Sequence, residues 1–303
     1  MSGGGKYRVH DVPVDGGSLR VGEWGPDDPV APTVVAVHGI TASHLAWAAV
    51  AEAMPELRLV APDLRGRGRS SGLPGPCGMA RHAADLETVT KALELPRAVL
   101  VGHSMGAFVA VFTAQLCPDR FSRVVLVDGG LPLTIPAGIS KDDLLAATLG
   151  PAAARLSMTF PDRASYLEFW KRHPAFASGW SQAMVDYAEY DLIGTEPQLR
   201  SSCSFEAVRQ DSMELFDGAP VLAALADLRN LGLPVTLMAA PRGLLNQTPG
   251  LYSPSEVERW RAELPDVTIR EVPDVNHYTI VMGSAGASAI ARELRGHAHD
   301  RPL

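Results

Sequence analysis

The nineteen residues Ala98–Leu116, AVLVGHSMGAFVAVFTAQL, decide how this chain folds. They contain no Asp, Glu, Lys or Arg, and length alone makes such a run a candidate membrane span. Gly102, Gly106 and the polar Ser104 break it instead into a five-residue apolar strand, Ala98–Gly102, and a helix, Ser104–Leu116. A strand that turns into a helix within a residue or two strains the central residue. Side chains two positions to either side would then meet the crowded turn. Gly102-His103-Ser104-Met105-Gly106 fits G-x-S-x-G in the strand–turn–helix context that the motif needs. The Ser104 hydroxyl is therefore expected above the carboxyl edge of a sheet. There it sits over a helix N-terminus, whose unpaired amides favour developing negative charge.

Similar strands flank this unit. Thr33–His38, Leu57–Asp63 and Arg123–Asp128 are short apolar runs, with helical patterns at Ala42–Met54 and Met79–Leu93 between them. Continuous apolar strands alternating with helices predict a mostly parallel sheet covered on both faces. Leu19–Trp24 is expected to add an antiparallel edge strand. The alternation stops after Asp128. From about Leu131 to Asn230 no strand is expected, only helical patterns at Lys141–Leu149, Arg163–Lys171, Ser181–Tyr190 and Phe205–Leu215, and much of the aromatic content is here. The sheet pattern returns with Pro234–Ala240, a helix over Ser255–Glu263, the strand Val267–Val272 and a closing helix, Ser284–Leu294. The expected division is a first α/β part over 1–130, a helical cap inserted over 131–232, and a second α/β part over 233–303.

Composition narrows the partners. With 303 residues, 46% apolar and 20% charged, the chain can bury a large core and is not a disordered polymer. A net charge of −7 and a pI near 5.7, with no basic run, make it a poor binder of nucleic acid or anionic membranes. Cys77, Cys117 and Cys203 are too few and too scattered for a disulfide framework, and no C-x-x-C offers a metal or redox site. The start, MSGGGKYRVHDVPVDGG, lacks the apolar region of a secretion signal. Together with free thiols this implies a reducing cytoplasm. No metal or organic cofactor is expected, and the chain is expected as a monomer or homodimer.

A serine hydroxyl is a weak nucleophile until a base takes its proton. Of the nine histidines, His103 lies in the turn itself and His38 reads as part of a turn at a strand end. His277 stands in the loop Pro273-Asp274-Val275-Asn276-His277-Tyr278, between the last strand and the last helix and at the same sheet edge as Ser104. Strand-end loops carry such sites, so His277 is the expected base. The amide of Met105, the residue after the serine, is one expected donor to an oxyanion. The second is expected from His38-Gly39-Ile40-Thr41, at Ile40, because Gly39 lets that loop bend over the site.

HGITASHLAW, DLRGRGRS, GHSMG and the late DVNH, in that order, resemble the α/β-hydrolase family over essentially the whole chain except the insertion. The resemblance implies an eight-stranded α/β-hydrolase fold with a variable helical cap after the sixth strand. It says much less about the substrate.

One departure from the family pattern concerns the acid that orients the histidine. Most members carry it shortly after the seventh strand, but here Pro234–Ala240 runs into Pro241-Arg242-Gly243-Leu244-Leu245-Asn246-Gln247, with no Asp or Glu before Glu256. Asn246 stands where the acid is expected, and Asn cannot stabilise an imidazolium as a carboxylate does. Asp128, at the end of the sixth strand, is the first candidate, as in several thioesterases of the family, and it keeps the order Ser104, Asp128, His277. Asp274 is the second candidate. The arginines of Asp63–Ser70 lack the glycine spacing of a phosphate loop and read as structural. Trp47 reads as core. Trp170, Trp180 and Tyr187 are expected to line an apolar cavity above Ser104. The resemblance thus implies a serine hydrolase of a carboxylic ester with an apolar or aromatic group. A thioesterase, a lactonase, a carbon–carbon bond hydrolase and a ligand-binding member of little turnover stand as the other readings.

Overall fold

The strands that carry the candidate residues end level with one another. In the computed structural model, which describes residues 6–133, 154–177 and 179–296, Val37 pairs with Gly102, Gly102 with Leu126, Val127 with Met238 and Ala239 with Glu271. The loops that follow these positions therefore open onto one carboxyl edge.

The strands are β1 (Arg8–Val14), β2 (Gly17–Trp24), β3 (Thr33–Val37), β4 (Arg58–Pro62), β5 (Ala98–His103), β6 (Phe121–Val127), β7 (Leu192–Ile193), β8 (Arg200–Ser201), β9 (Val235–Ala239) and β10 (Val267–Glu271). Eight of them form one sheet in the order β1-β2-β4-β3-β5-β6-β9-β10. It is parallel except for β2, which runs antiparallel to both neighbours. β7 and β8 make a separate two-stranded ribbon, so the inserted segment, expected without strands, contains one small pair. The expected antiparallel edge strand needs a correction as well. β2 is antiparallel but second from the edge, and β1 is the edge. The turn Asp15-Gly16, with Gly16 and Gly17 at φ of 89° and 150°, is the hairpin signal that joins them.

Helices cover both faces of the sheet because their apolar residues recur at helical spacing. Met79–Ala92 buries Met79, Ala83, Leu86 and Val89 along one stripe. Met105–Leu116 is apolar on nearly every side because it is enclosed, lying on β5 and β6 and against both Met79–Ala92 and Gly218–Asn230. The range expected for the insertion thus ends in a helix that packs against Met105–Leu116. The expected helix Ala42–Met54 is a 3-10 turn, His44–Trp47, followed by an α-helix, Ala48–Ala53, and Trp47 is fully buried. The Lys141–Leu149 pattern lies outside the described residues. No helix among the described residues is long and apolar enough to cross a membrane; Ala98–Leu116 is instead β5 and a buried helix.

The turn after β4 ties the inserted segment to the sheet. Asp63 is buried and accepts from the His44 amide at 2.9 Å, the His44 ring at 2.7 Å and the Tyr190 hydroxyl at 2.6 Å. Burial alone would raise its carboxyl, but His44 and these hydrogen bonds prevail and hold it at about 2. Arg65 makes a two-point pair with Asp85 at 3.0 Å, and Arg67 pairs with Asp211 of the helix Phe205–Leu215 at 2.5 Å. Breaking one partner of such a buried pair costs about 3–5 kcal/mol, so these arginines are structural, as the lack of phosphate-loop spacing implies.

Candidate active site

Ser104 sits at φ 56°, ψ −124° between β5 and the helix Met105–Leu116, in a region that few non-glycine residues occupy. The glycines around it explain how this is possible. A Cβ at Gly102 would lie 2.1 Å from the Gly106 carbonyl oxygen, and one at Gly106 would lie 2.2 Å from that of Val37. A third glycine escapes the motif: a Cβ on Gly129 would lie 2.3 Å from the Ser104 carbonyl oxygen. The signal was the Gly129-Gly130 pair after a strand next to the serine's own. The Ser104 amide is held by the Val127 carbonyl at 2.9 Å. The turn is therefore fixed from both neighbouring strands.

Asp128 follows β6 and is fully buried, with φ 45°. Its Oδ1 accepts the Ala240 amide at 3.0 Å, and its Oδ2 lies 2.6 Å from Nδ1 of His277. A carboxylate accepts, so Nδ1 of His277 carries the proton and Nε2 is free to act as a base. Asn246 takes no part in this pair; its Oδ1 accepts from Nδ2 of Asn276 at 3.1 Å. Asp274 has an exposed side chain, and among the described residues it is its carbonyl that is engaged, by Arg242 at 2.6 Å.

The loop that carries His277 is organised by a residue that sequence reasoning missed. Oδ1 of Asn276 accepts the amides of Tyr278 and Thr279 at 3.0 and 2.9 Å, while Nδ2 donates to the Ala175 carbonyl at 2.8 Å. Its only signal was an Asn opening a turn into a helix, a position that residue type favours. His103 supports the same loop, donating from Nε2 to the His277 carbonyl at 2.8 Å. Burial, together with the neighbouring His277, holds His103 well below the usual imidazole range, so its ring is neutral.

The two expected amide donors meet the same space. Ile40 and Ser104 line both cavities beside the serine, and Met105 lines one of them. Neither the Ile40 nor the Met105 amide has a hydrogen-bond partner among the described residues. The approach is close: a Cβ on Gly39 would stand 3.2 Å from Cβ of Ser104. His38 shapes the loop from behind. Its Nε2 accepts the Leu64 amide at 2.9 Å and its Nδ1 donates to the Gly39 carbonyl at 2.8 Å. Burial holds this ring down at about 4, in its neutral form.

Ser104, His277, Ile40 and Leu244 separate two apolar cavities. One continues past Thr41, Tyr187, Tyr278 and Met282, and the other past Phe108, Leu133, Phe216 and Leu251. Of the three aromatic residues expected there, Tyr187 lines the first of these cavities and the other two line neither. Trp170 is buried among the inserted helices, under the Arg155 guanidinium at 4.9 Å, and Trp180 packs on Phe176 and faces a different groove. Helical spacing predicts that an aromatic is buried, not which cavity it faces. Burial pushes Tyr278 up to about 12 and Tyr187 well above its ordinary value, so neither is a phenolate base. Among the described residues no group of three or more His, Cys, Asp or Glu side chains is placed to hold a metal ion.

Comparison with known proteins agrees with this architecture. The chain is 32% identical over 140 residues to the lipase LipV of Mycobacterium tuberculosis, 45% of this chain and 52% of that one. It is 35% identical over 125 residues to an epoxide hydrolase of Caballeronia sordidicola, covering 40% of this chain and 36% of the relative. The chain thus spans about half or less of the length of these curated relatives. A solved structure, the thioesterase domain from the curacin biosynthetic pathway, superposes with a TM-score of 0.72 at 23% identity, covering 96% of this chain and 99% of that one. That likeness is one of fold. The model of the alpha/beta hydrolase fold matches residues 32–190, a span that holds the loop at Gly39, the strained Ser104 and the buried Asp128, and the chain belongs to the α/β-hydrolase family.

Proposed function

We propose that the protein is a serine hydrolase that cleaves a neutral carboxylic ester with apolar groups on both sides of the scissile bond. The observation that carries this reading is the buried pair of Asp128 and His277 at 2.6 Å, opening onto the cavities that Ser104 lines. Ser104 Oγ attacks the carbonyl carbon while its proton passes to Nε2 of His277. The carbonyl electron pair moves to the oxygen, which the amides of Ile40 and Met105 hold. Collapse of the adduct breaks the bond to the alcohol, which leaves with the proton from His277. Water, deprotonated by the same nitrogen, then releases the acid and returns Ser104. Asp128 remains a carboxylate and stabilises the imidazolium.

The thioester reading comes second and is favoured by one feature, the acid after the sixth strand of the main sheet. Competing p-nitrophenyl butyrate with butyryl thioesters separates the two by their kcat/KM. The reading as a whole is tested by butyrate ester hydrolysis at about pH 8, above the range in which imidazole is protonated. Wild type turns over and Ser104→Ala falls to background. A wild type at background, with Ser104 inert to a fluorophosphonate, overturns it.

A further inference from the structure

The loop that carries Ile40 is held by its carbonyls. Gly39 accepts from Nδ1 of His38 at 2.8 Å, Ile40 from Nε of Arg67 at 2.9 Å, and Thr41 from Nη2 of Arg155 at 2.6 Å. His38 directly follows β3, and Arg67 lies in the turn after β4. Arg155 belongs to the inserted segment, 114 residues further along the chain.

The guanidinium of Arg155 is fully buried and oriented on every side. Its Nε lies 3.1 Å from the Tyr166 hydroxyl and 3.2 Å from Oδ2 of Asp191, and its plane covers Trp170. Asp191 is itself held by the hydroxyls of Ser201, at 2.8 and 2.9 Å, and of Ser202, at 3.0 Å. A cation taken out of water this completely is expensive to keep, and its Nη2 is spent on a backbone carbonyl of the loop beside Ser104.

The direction of the peptides gives that contact a meaning. The peptide bonds at Gly39–Ile40 and Thr41–Ala42 are trans, so each N–H points away from its own C=O. Arg155 holds the carbonyl of the Thr41–Ala42 peptide. The N–H of that peptide donates to the Gly39 carbonyl at 3.1 Å. The Gly39–Ile40 peptide then turns its own N–H, that of Ile40, away from this chain of bonds. Two peptide dipoles thus stand head to tail behind the Ile40 amide, with a buried positive charge at their far end. Hydrogen bonds in such a chain polarise one another in the direction that favours an anion at the last N–H.

We infer that Arg155 is a positioning residue for the oxyanion. It acts through Thr41, Ala42 and Gly39, and it makes the second oxyanion donor depend on the inserted helices being seated. The inference rests on the serine hydrolase reading above. A role of this kind strengthens binding of the tetrahedral adduct and leaves substrate binding nearly untouched.

The test compares wild type with Arg155→Met, Arg155→Lys and Arg172→Met, the last removing an exposed arginine of the same segment. Four quantities are measured: kcat and KM for p-nitrophenyl butyrate, Ki for butylboronic acid, and the rate at which a fluorophosphonate labels Ser104. Loss of one oxyanion donor costs about 10²–10³ in kcat. Arg155→Met, which leaves the donor present but unsupported, is expected to lose about tenfold or more in kcat. Boronate affinity and labelling rate fall by similar factors, with KM within about threefold of wild type. Arg155→Lys falls between, because an ammonium keeps the charge without the planar fork, and Arg172→Met matches wild type. If Arg155→Met does not fold by circular dichroism, the Lys variant carries the test with the same split. Unchanged kcat in a folded variant, or a rise in KM with boronate affinity preserved, overturns the inference. A wild type that labels at Ser104 but hydrolyses no ester overturns the ester reading alone, and the labelling rates still judge Arg155. An unreactive wild-type Ser104 overturns both.

Discussion

Oδ2 of Asp128 lies 2.6 Å from Nδ1 of His277 across 149 residues of sequence, while its other oxygen is occupied by the Ala240 amide. This division of labour makes Asp128→Asn a sharp probe. The Ala240 amide selects the oxygen of the new side chain, so the NH2 group must face Nδ1. His277 is then driven to the other tautomer, with its proton on Nε2, where it cannot accept from Ser104. The expected loss in kcat is up to about 10⁴-fold with little change in melting temperature. A loss below about tenfold would remove Asp128 from the role.

Asn246 offers the converse. Its Oδ1 serves only as an acceptor for Asn276, and its φ of 62° suits Asn and Asp alike. Asn246→Asp keeps the acceptor and the backbone, so activity is expected to stay within about twofold, because no transition-state contact is lost. Gain of activity in the double variant Asp128→Asn, Asn246→Asp would show instead that an acid at 246 reaches His277.

How far these positions can be read from sequence follows from how local their causes are. The turn at Ser104 is set by clashes between residues two apart, and Gly102 and Gly106 announce it. The central strands are enclosed on both faces and read as unbroken apolar runs. β1 hides because an edge strand exposes one face, and RVHDVPV carries His10, Asp11 and Pro13 within it. Asp128 is reachable only by elimination, from the lack of a carboxylate after Pro234–Ala240. Arg155, Asn276 and Gly129 have partners 114, 101 and 25 residues away. The residues around Asn276 and Gly129 mark a turn but not the distant partner, and those around Arg155 mark neither.

At Gly129 a single added methyl group is expected to disturb the serine turn directly. Its Cβ would lie 2.3 Å from the carbonyl oxygen of Ser104 and 2.8 Å from Cα, and backbone cannot swing aside as a side chain does. Overpacking of this sort costs about 1–3 kcal/mol. A serine displaced by about 1 Å loses on the order of 10²-fold in rate. Gly129→Ala is therefore expected to lower both the melting temperature and the rate of fluorophosphonate labelling. Wild-type labelling in this variant would mean that the elbow tolerates movement.

His38 links pH to stability. It is buried, neutral and held at about 4, against about 6.5 in an unfolded chain. Between these values the unfolded state binds a proton that the folded state refuses, so this contribution is complete above about 6.5 and declines as pH falls towards 4. The slope is about 1.4 kcal/mol per pH unit once the unfolded histidine is protonated. His38→Gln cannot ionise. Urea unfolding of both proteins at about pH 7 and pH 5 is expected to show the advantage of wild type shrinking at the lower pH. An advantage equal at both values would show that His38 accepts its proton in the folded state.

Asn276 separates the holding of the histidine loop from the holding of the inserted segment. Its Oδ1 gathers the Tyr278 and Thr279 amides, and its Nδ2 joins the Ala175 carbonyl to Oδ1 of Asn246. Asn276→Asp retains the first pair of bonds and turns the second into a carboxylate facing two oxygens. Asn276→Ala removes both. Each buried bond contributes about 0.5–1.5 kcal/mol, and a buried acceptor left facing another costs more. Both variants are thus expected to loosen residue 175, seen as faster proteolysis within the inserted segment and a higher KM. Only Asn276→Ala also frees the turn that carries His277, so only it is expected to lose about tenfold or more in kcat at saturating substrate. If the two variants share the same kcat, Oδ1 of Asn276 does not set the position of His277. Orientation of that ring then rests on Asp128 and on the His103 bond to its carbonyl.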